Sequence, residues 1–363
     1  MTTRWTALAA ALVLMGAPAA GADDEIHEKI DILTEEIRKL KERMAIPETA
    51  EELESFSGLG PAASKIYARD AGLSIGGYGE FFFAQPTGRD DAVRTADFLR
   101  FITYVGYKFS DRILMNTEIE FEHATTSSNY EGRAGSVSVE FSYMDFLLRD
   151  EFNVRAGNLL VPMGFVNRMH EPPFFRGNAR PEVERRLIPT TWRELGAGVH
   201  GRAPGHLEYE AYVVNGFNAA NFGANGVRDG RQKGGRVIWE DVGVVGAVDV
   251  QATEALRLGG SAYYGEADQN RDFDGRAVDA TVRIVEGHAQ VRYGGFEGRA
   301  LVAGTSLGGA AALSRELSDD TTTVTVPKRQ TGWYVEGAYD IAPWLAIPAT
   351  TQLLAWVRYE DWN

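Results

Sequence analysis

From Leu73 onward, apolar and polar residues alternate along the chain with a period of two. Phe101, Thr103, Val105, Tyr107 and Phe109 fall on one side of a strand, and Arg100, Ile102, Tyr104, Gly106 and Lys108 on the other. Asn116, Glu118, Glu120 and Glu122 oppose Thr117, Ile119 and Phe121, while Glu208 and Glu210 oppose Leu207, Tyr209, Ala211 and Val213. Successive side chains of a strand point to opposite faces, so each run predicts a strand with one apolar and one charged face. A soluble antiparallel sandwich alternates too. Dense charge of both signs on one face, with Tyr and Phe on the other, favours an all-β antiparallel membrane barrel.

The connections sort by length. Short turns occur at 110–112, 149–151, 203–205, 253–254, 294–295 and 341–343, alternating with long segments near 86–97, 124–136, 161–192, 217–235, 266–276 and 308–330. Short periplasmic turns alternating with long external loops characterise bacterial outer-membrane barrels. The reading gives 13 strands, beginning near Leu73, Phe98, Ile113, Val137, Asn153, Leu195, Leu207, Val242, Ala255, Ala277, Glu297, Thr331 and Thr350. Single-chain bacterial barrels carry even numbers, so the barrel over 73–363 is expected to be C-terminally incomplete, or one strand is miscounted.

Ahead of the strands the pattern changes. Arg4, the apolar run Trp5–Met15 and the small residues ending at Ala22 predict a cleaved signal peptide over 1–22, too short to span a bilayer as a helix. Ile26, Ile30, Leu33, Ile37, Leu40 and Met44 recur at spacings of 4, 3, 4, 3 and 4, which predicts a helical coiled coil over 23–46 in the periplasm. A single amphipathic helix packed on another surface would show the same stripe. Pro47, a run of glutamates, Gly58, Gly60 and Pro61 mark a linker over 47–72.

Composition adds exclusions. The chain has no cysteine, so it has no disulfide framework, and its net charge of −14 argues against a nucleic-acid partner. His170-Glu171 begins like a zinc-protease motif, but Pro172 and Pro173 break the helix and position 174 is Phe. Asn270–Gly275 begins like a calcium loop but lacks the twelfth-position Glu. No catalytic constellation, metal site or cofactor motif emerges, and the expectation is a protein that is not an enzyme.

The segment 161–192 is the third external loop and is long enough to be functional. It carries Arg168, Arg176, Arg180, Arg185 and Arg186, which, folded inward with Arg100, Lys108 and Arg155 on adjacent walls, would narrow a pore and attract anions. The wall carboxylates Glu118, Glu120, Glu208 and Glu210 would oppose that field, and the loop's own glutamates could neutralise it.

The stretch GNLLVPMGFVNRMHEPPFF, followed by ARPEVERRLIPTTWRELGAGVHG, resembles the phosphate-selective porin O and P family over about 70–202. The resemblance implies a 16-stranded trimeric porin whose third loop folds inward and whose solutes are small and hydrophilic, with anions or phosphate preferred. The loop has arginines but no lysine, so the family's phosphate-binding lysines have no counterpart there. The expected partners are outer-membrane lipid, small solutes and further copies of the chain, held through barrel and coil. The alternative is a structural tether whose coil reaches into the periplasm.

Overall fold

In a computed structural model the described residues are 29–30, 32–34, 59–87, 93–129, 132–273, 276–345, 347–348 and 351–363. The expected signal peptide lies outside them, as does the coiled-coil seam apart from five helical residues that include Ile30 and Leu33.

Among the described residues thirteen strands form one antiparallel sheet in which each pairs with the next strand of the sheet along the chain. They are β1 (Gly72–Ala84), β2 (Thr95–Ser110), β3 (Ile113–Glu122), β4 (Ser136–Arg149), β5 (Phe152–Leu160), β6 (Arg193–Ala203) and β7 (Leu207–Asn215). After them come β8 (Val242–Gln251), β9 (Leu256–Gly265), β12 (Val282–Tyr293), β13 (Phe296–Leu307), β14 (Arg329–Asp340) and β15 (Leu354–Trp362). A separate two-residue hairpin, β10 (Asp272–Phe273) with β11 (Arg276–Ala277), sits in the connection between β9 and β12. Such a meander puts odd connections at one rim and even ones at the other, so the short turns share a rim, as the spacing predicts.

Three boundaries differ by three residues or more from the sequence reading, the first being β2, which begins at Thr95 rather than Phe98. The tenth strand of the sheet begins at Val282 rather than Ala277, which pairs with Asp272 in the hairpin. Asp279 accepts the Thr281 amide at 3.2 Å, and this local turn competes with the ladder until Val282. The last connection, 341–353, is a loop containing a 3₁₀ turn at Ala342–Leu345 instead of a three-residue turn. Pro343 and Pro348 cannot donate to a ladder, so β15 starts at Leu354.

The sheet is inverted relative to a soluble protein. On the outward face Phe101 is 47% exposed, Val285 57% and Val302 59%, whereas inward Glu118 is 1% exposed and Asp145 0%. The alternation inferred for 98–109 and 116–122 therefore holds, with the charged side turned in. Among the described residues no helix is long and apolar enough to cross a membrane.

The sheet also curls. His170 Nε2 meets Glu118 of β3 at 3.2 Å, while the amide of Glu182 donates to Glu360 of β15 at 2.6 Å. Laid flat, β3 and β15 would stand about 48 Å apart at ten strand spacings. The twelve-residue stretch between the two contacts, which contains turns and part of a helix, cannot bridge that distance. The walls therefore wrap around the segment 161–192.

Residues 59–71, expected as part of a linker, pack on the inner face of the sheet. A short helix, α1 (Pro61–Ser64), places Leu59, Ala63 and Ile66 in the core. Gly106 on β2 is needed there, because a Cβ at that position would stand 2.8 Å from that of Ile66.

Candidate functional site

The loop 161–192 is held as a rigid insert. At its base Asn167 Nδ2 donates to the carbonyls of Val161 at 2.7 Å and Trp192 at 2.9 Å, and its Oδ1 accepts the Trp192 amide at 2.6 Å. One amide side chain thus ties the two ends together. Trp192 stacks on Phe217 at 4.7 Å and meets Tyr263 at 4.9 Å, which fixes the base against the neighbouring long loop and β9. Gly164 adopts φ +65°, and a Cβ there would come within 2.5 Å of Glu184 Oε2, so the turn requires glycine.

A five-residue helix, α2 (Glu182–Arg186), buries Val183 and Glu184. Glu184 Oε2 accepts the Val166 amide at 2.7 Å, and Oε1 accepts the Tyr334 hydroxyl of β14 at 2.6 Å. Burial pushes the Glu184 carboxyl up to about 7, although both hydrogen bonds favour its charged form.

Most of the arginines singled out in the sequence are neutralised. Arg168 donates to Glu210 at 2.8 Å and to Asp249 at 3.0 Å. Arg176 pairs with Glu297 and Glu336 on β13 and β14. Arg185 and Arg186 both pair with Glu182 at 2.7 Å, one turn away on the same helix. Arg155 holds Asp145 at 2.8 Å, and Arg100 bridges Glu80 at 2.9 Å and Glu120 at 3.1 Å. Of the wall carboxylates, Glu118 meets His170, while Glu208 takes Arg202 at 3.1 Å and Arg257 at 2.8 Å. Lys108 instead donates to the carbonyls of Tyr67 at 3.4 Å and Arg69 at 2.6 Å.

Arg180 is different. It donates to the His170 carbonyl at 3.2 Å and meets no carboxylate within 4 Å among the described residues. Burial lowers its pKa, and Arg100 adds to the effect.

The sequence reading missed a basic cluster on the fourth long loop, which faces the third. Arg228 donates to the carbonyls of Arg185 and Thr190, and Arg231 to those of Pro189 at 2.8 Å and Thr191 at 2.6 Å. Neither has a carboxylate partner among the described residues. Burial, then Arg228 and Arg193, push the Arg231 guanidinium down to about 9, while burial followed by Arg185 and Arg180 takes Arg228 to about 10. Burial, then Arg231, Arg193 and Arg228, lower Lys233. Burial is the largest cause in each case, and the neighbouring arginines add to it. In the sequence these positions look like an ordinary polar loop, since only the packing of two distant loops brings them together.

A cavity of 630 Å³ opens among the short turns (Asp111, Asp150, Glu151, Pro204) and reaches inward to Arg168 and Glu210. A second space of about 10 Å³, room for one water molecule, lies between Leu59, Tyr143, Arg155 and Leu159 and shares Arg168 and Glu210 with the first.

With an exposed apolar outer face, charged and apolar side chains buried on the inner one and segments inserted against it, the sheet has the layout of a membrane β-barrel rather than a soluble sandwich. The chain belongs to the same family as an uncharacterized protein of Aquifex aeolicus (strain VF5), with which it is 36% identical over 311 residues, covering 84% of this chain and 69% of that one. No family model matches, so the resemblance to the phosphate-selective porin O and P family has no support from that comparison. Among solved structures, OmpF of Salmonella typhi in complex with daunomycin is similar at TM-score 0.49 and 11% identity, covering 75% of each chain. The anion-selective porin of Comamonas acidovorans is similar at TM-score 0.48 and 10% identity, covering 81% of this chain and 80% of that one.

Proposed function

We propose that the protein is an outer-membrane porin, a passive diffusion channel for small hydrophilic solutes. The observation that carries this reading is the inverted sheet. Val, Phe and Tyr side chains are exposed along the outer face while Glu118, Asp145, Asp249 and Glu336 are buried on the inner one. That distribution is stable only with lipid outside and water or paired charge inside. The loop 161–192 supplies the constriction, with Arg168, Arg176 and Arg180 reaching across the interior.

Anion preference, phosphate included, belongs to this proposal in a modified form. Paired arginines contribute little net field, so selectivity rests on Arg180, Arg228, Arg231 and Lys233. Assembly as a homotrimer is also proposed, on the resemblance, and crosslinking in detergent tests it.

Liposome swelling tests the channel itself. Vesicles carrying the refolded protein should swell in isotonic solutions of small sugars at rates that fall with solute size. Swelling no faster than in protein-free vesicles, with the protein folded and inserted, would contradict the proposal.

A further inference from the structure

We propose that residues 59–71 are a displaceable stopper that closes the inner end of the short-turn vestibule, an inference that rests on the channel reading above. The segment belongs to no ladder of the sheet. It lies across the inner faces of β2 to β5, and its Leu59 lines the 10 Å³ space that shares Arg168 and Glu210 with the 630 Å³ cavity. Solute passing inward from the short turns by Arg168 and Glu210 therefore meets Leu59 where there is room for a single water.

The means of attachment suits release. Leu59, Ala63 and Ile66 are the fully buried apolar side chains of the segment, with Ala62 and Tyr67 partly buried against the same cluster, fewer than hold a strand of the sheet. Polar contacts hold the rest. The Tyr67 hydroxyl donates to Asp145 at 2.7 Å and accepts from Arg155 Nη2 at 3.0 Å. Lys108 gathers the carbonyls of Tyr67 and Arg69, and Asn116 donates to the Ala63 carbonyl at 2.8 Å. Water can replace each of these bonds when the segment leaves, so each contributes modestly. Asp145 and Arg155 stay paired to each other after release, which leaves no bare charge on the wall.

The chain lacks cysteine, so a single introduced thiol reports on the segment. Ala63→Cys in the full chain, reconstituted in lipid vesicles, should react slowly with a membrane-impermeant maleimide. Adding Tyr67→Phe and Lys108→Met should speed labelling about tenfold, the effect expected from losing one to two net hydrogen bonds, and time-averaged conductance should rise with it. Tyr67→Phe alone serves if the triple variant misfolds, and the folded state is checked by heat-modifiable gel mobility. Unchanged labelling would make the segment a fixed wall and overturn the proposal. Faster labelling without a change in conductance would overturn it too, since the segment would then move without blocking anything. Silence of the unaltered protein and every variant would overturn the channel reading, and the stopper with it, while the labelling rates still report the motion.

Discussion

The Tyr334 hydroxyl on β14 donates to Glu184 Oε1 across 2.6 Å, and the other oxygen of that carboxylate takes the Val166 amide at 2.7 Å. One buried side chain thus joins both limbs of the third loop to the far wall. Tyr334→Phe leaves a buried acceptor short of a donor and should cost about 1–3 kcal/mol, read as a lower unfolding temperature in detergent.

The same carboxyl sets a pH dependence. Its pKa is raised from 4.5 to about 7, so the docked loop binds the proton more tightly than the unfolded chain does. Stability from this group is full below pH 4.5, falls as pH rises through 7, and levels off above, a change of about 3 kcal/mol. Glu184→Gln should flatten that part of the stability profile in urea titrations between pH 4.5 and 8. An unaltered profile would show that the carboxyl is not desolvated.

Arg168 stands between Glu210 and Asp249 with only 11% of its side chain exposed. Arg168→Ala removes the cation the two carboxylates share, leaving Asp249 to Arg257 and His288 and Glu210 to the Tyr212 hydroxyl, and a loss of about 1–3 kcal/mol is expected in denaturant unfolding. A loss below 1 kcal/mol would mean that water already screens the pair.

Selectivity should follow the unpaired cations. Arg228→Gln with Arg231→Gln should move the reversal potential in a salt gradient toward cations, whereas Arg185→Gln with Arg186→Gln should barely move it, because Glu182 already neutralises that pair. The opposite ranking would contradict the assignment.

The strand pattern was legible because period-two alternation is a local property. The faces carrying Phe101 and Glu118 and all thirteen strands could be read from it, with the largest boundary misses where Asp279, Pro343 and Pro348 override alternation. The partners of the loop arginines were not legible. Arg176 finds Glu336, 160 positions away, through the curl of the sheet, which no local pattern encodes. Residues 59–71 looked like a linker because Gly60 and Pro61 punctuate the chain, while their anchors, Asn116, Asp145 and Arg155, lie on strands that follow. Of the heptad seam, Ile30 and Leu33 lie within the described residues, and Ile26, Ile37, Leu40 and Met44 lie outside them.

The lipid-facing assignment has its own check. Val335, 51% exposed near the middle of β14, should tolerate Arg in a soluble protein. Facing the bilayer midplane, Val335→Arg should cost about 2–4 kcal/mol and slow insertion into vesicles.

Single-channel recording in a planar bilayer tests the central claim most directly. Adding the purified, folded protein should produce stepwise conductance increases in symmetrical salt, each step corresponding to an open, ohmic pore. Repeated addition of protein that is folded by its heat-modifiable mobility and inserted, yet gives no steps above the bare membrane, would contradict the account.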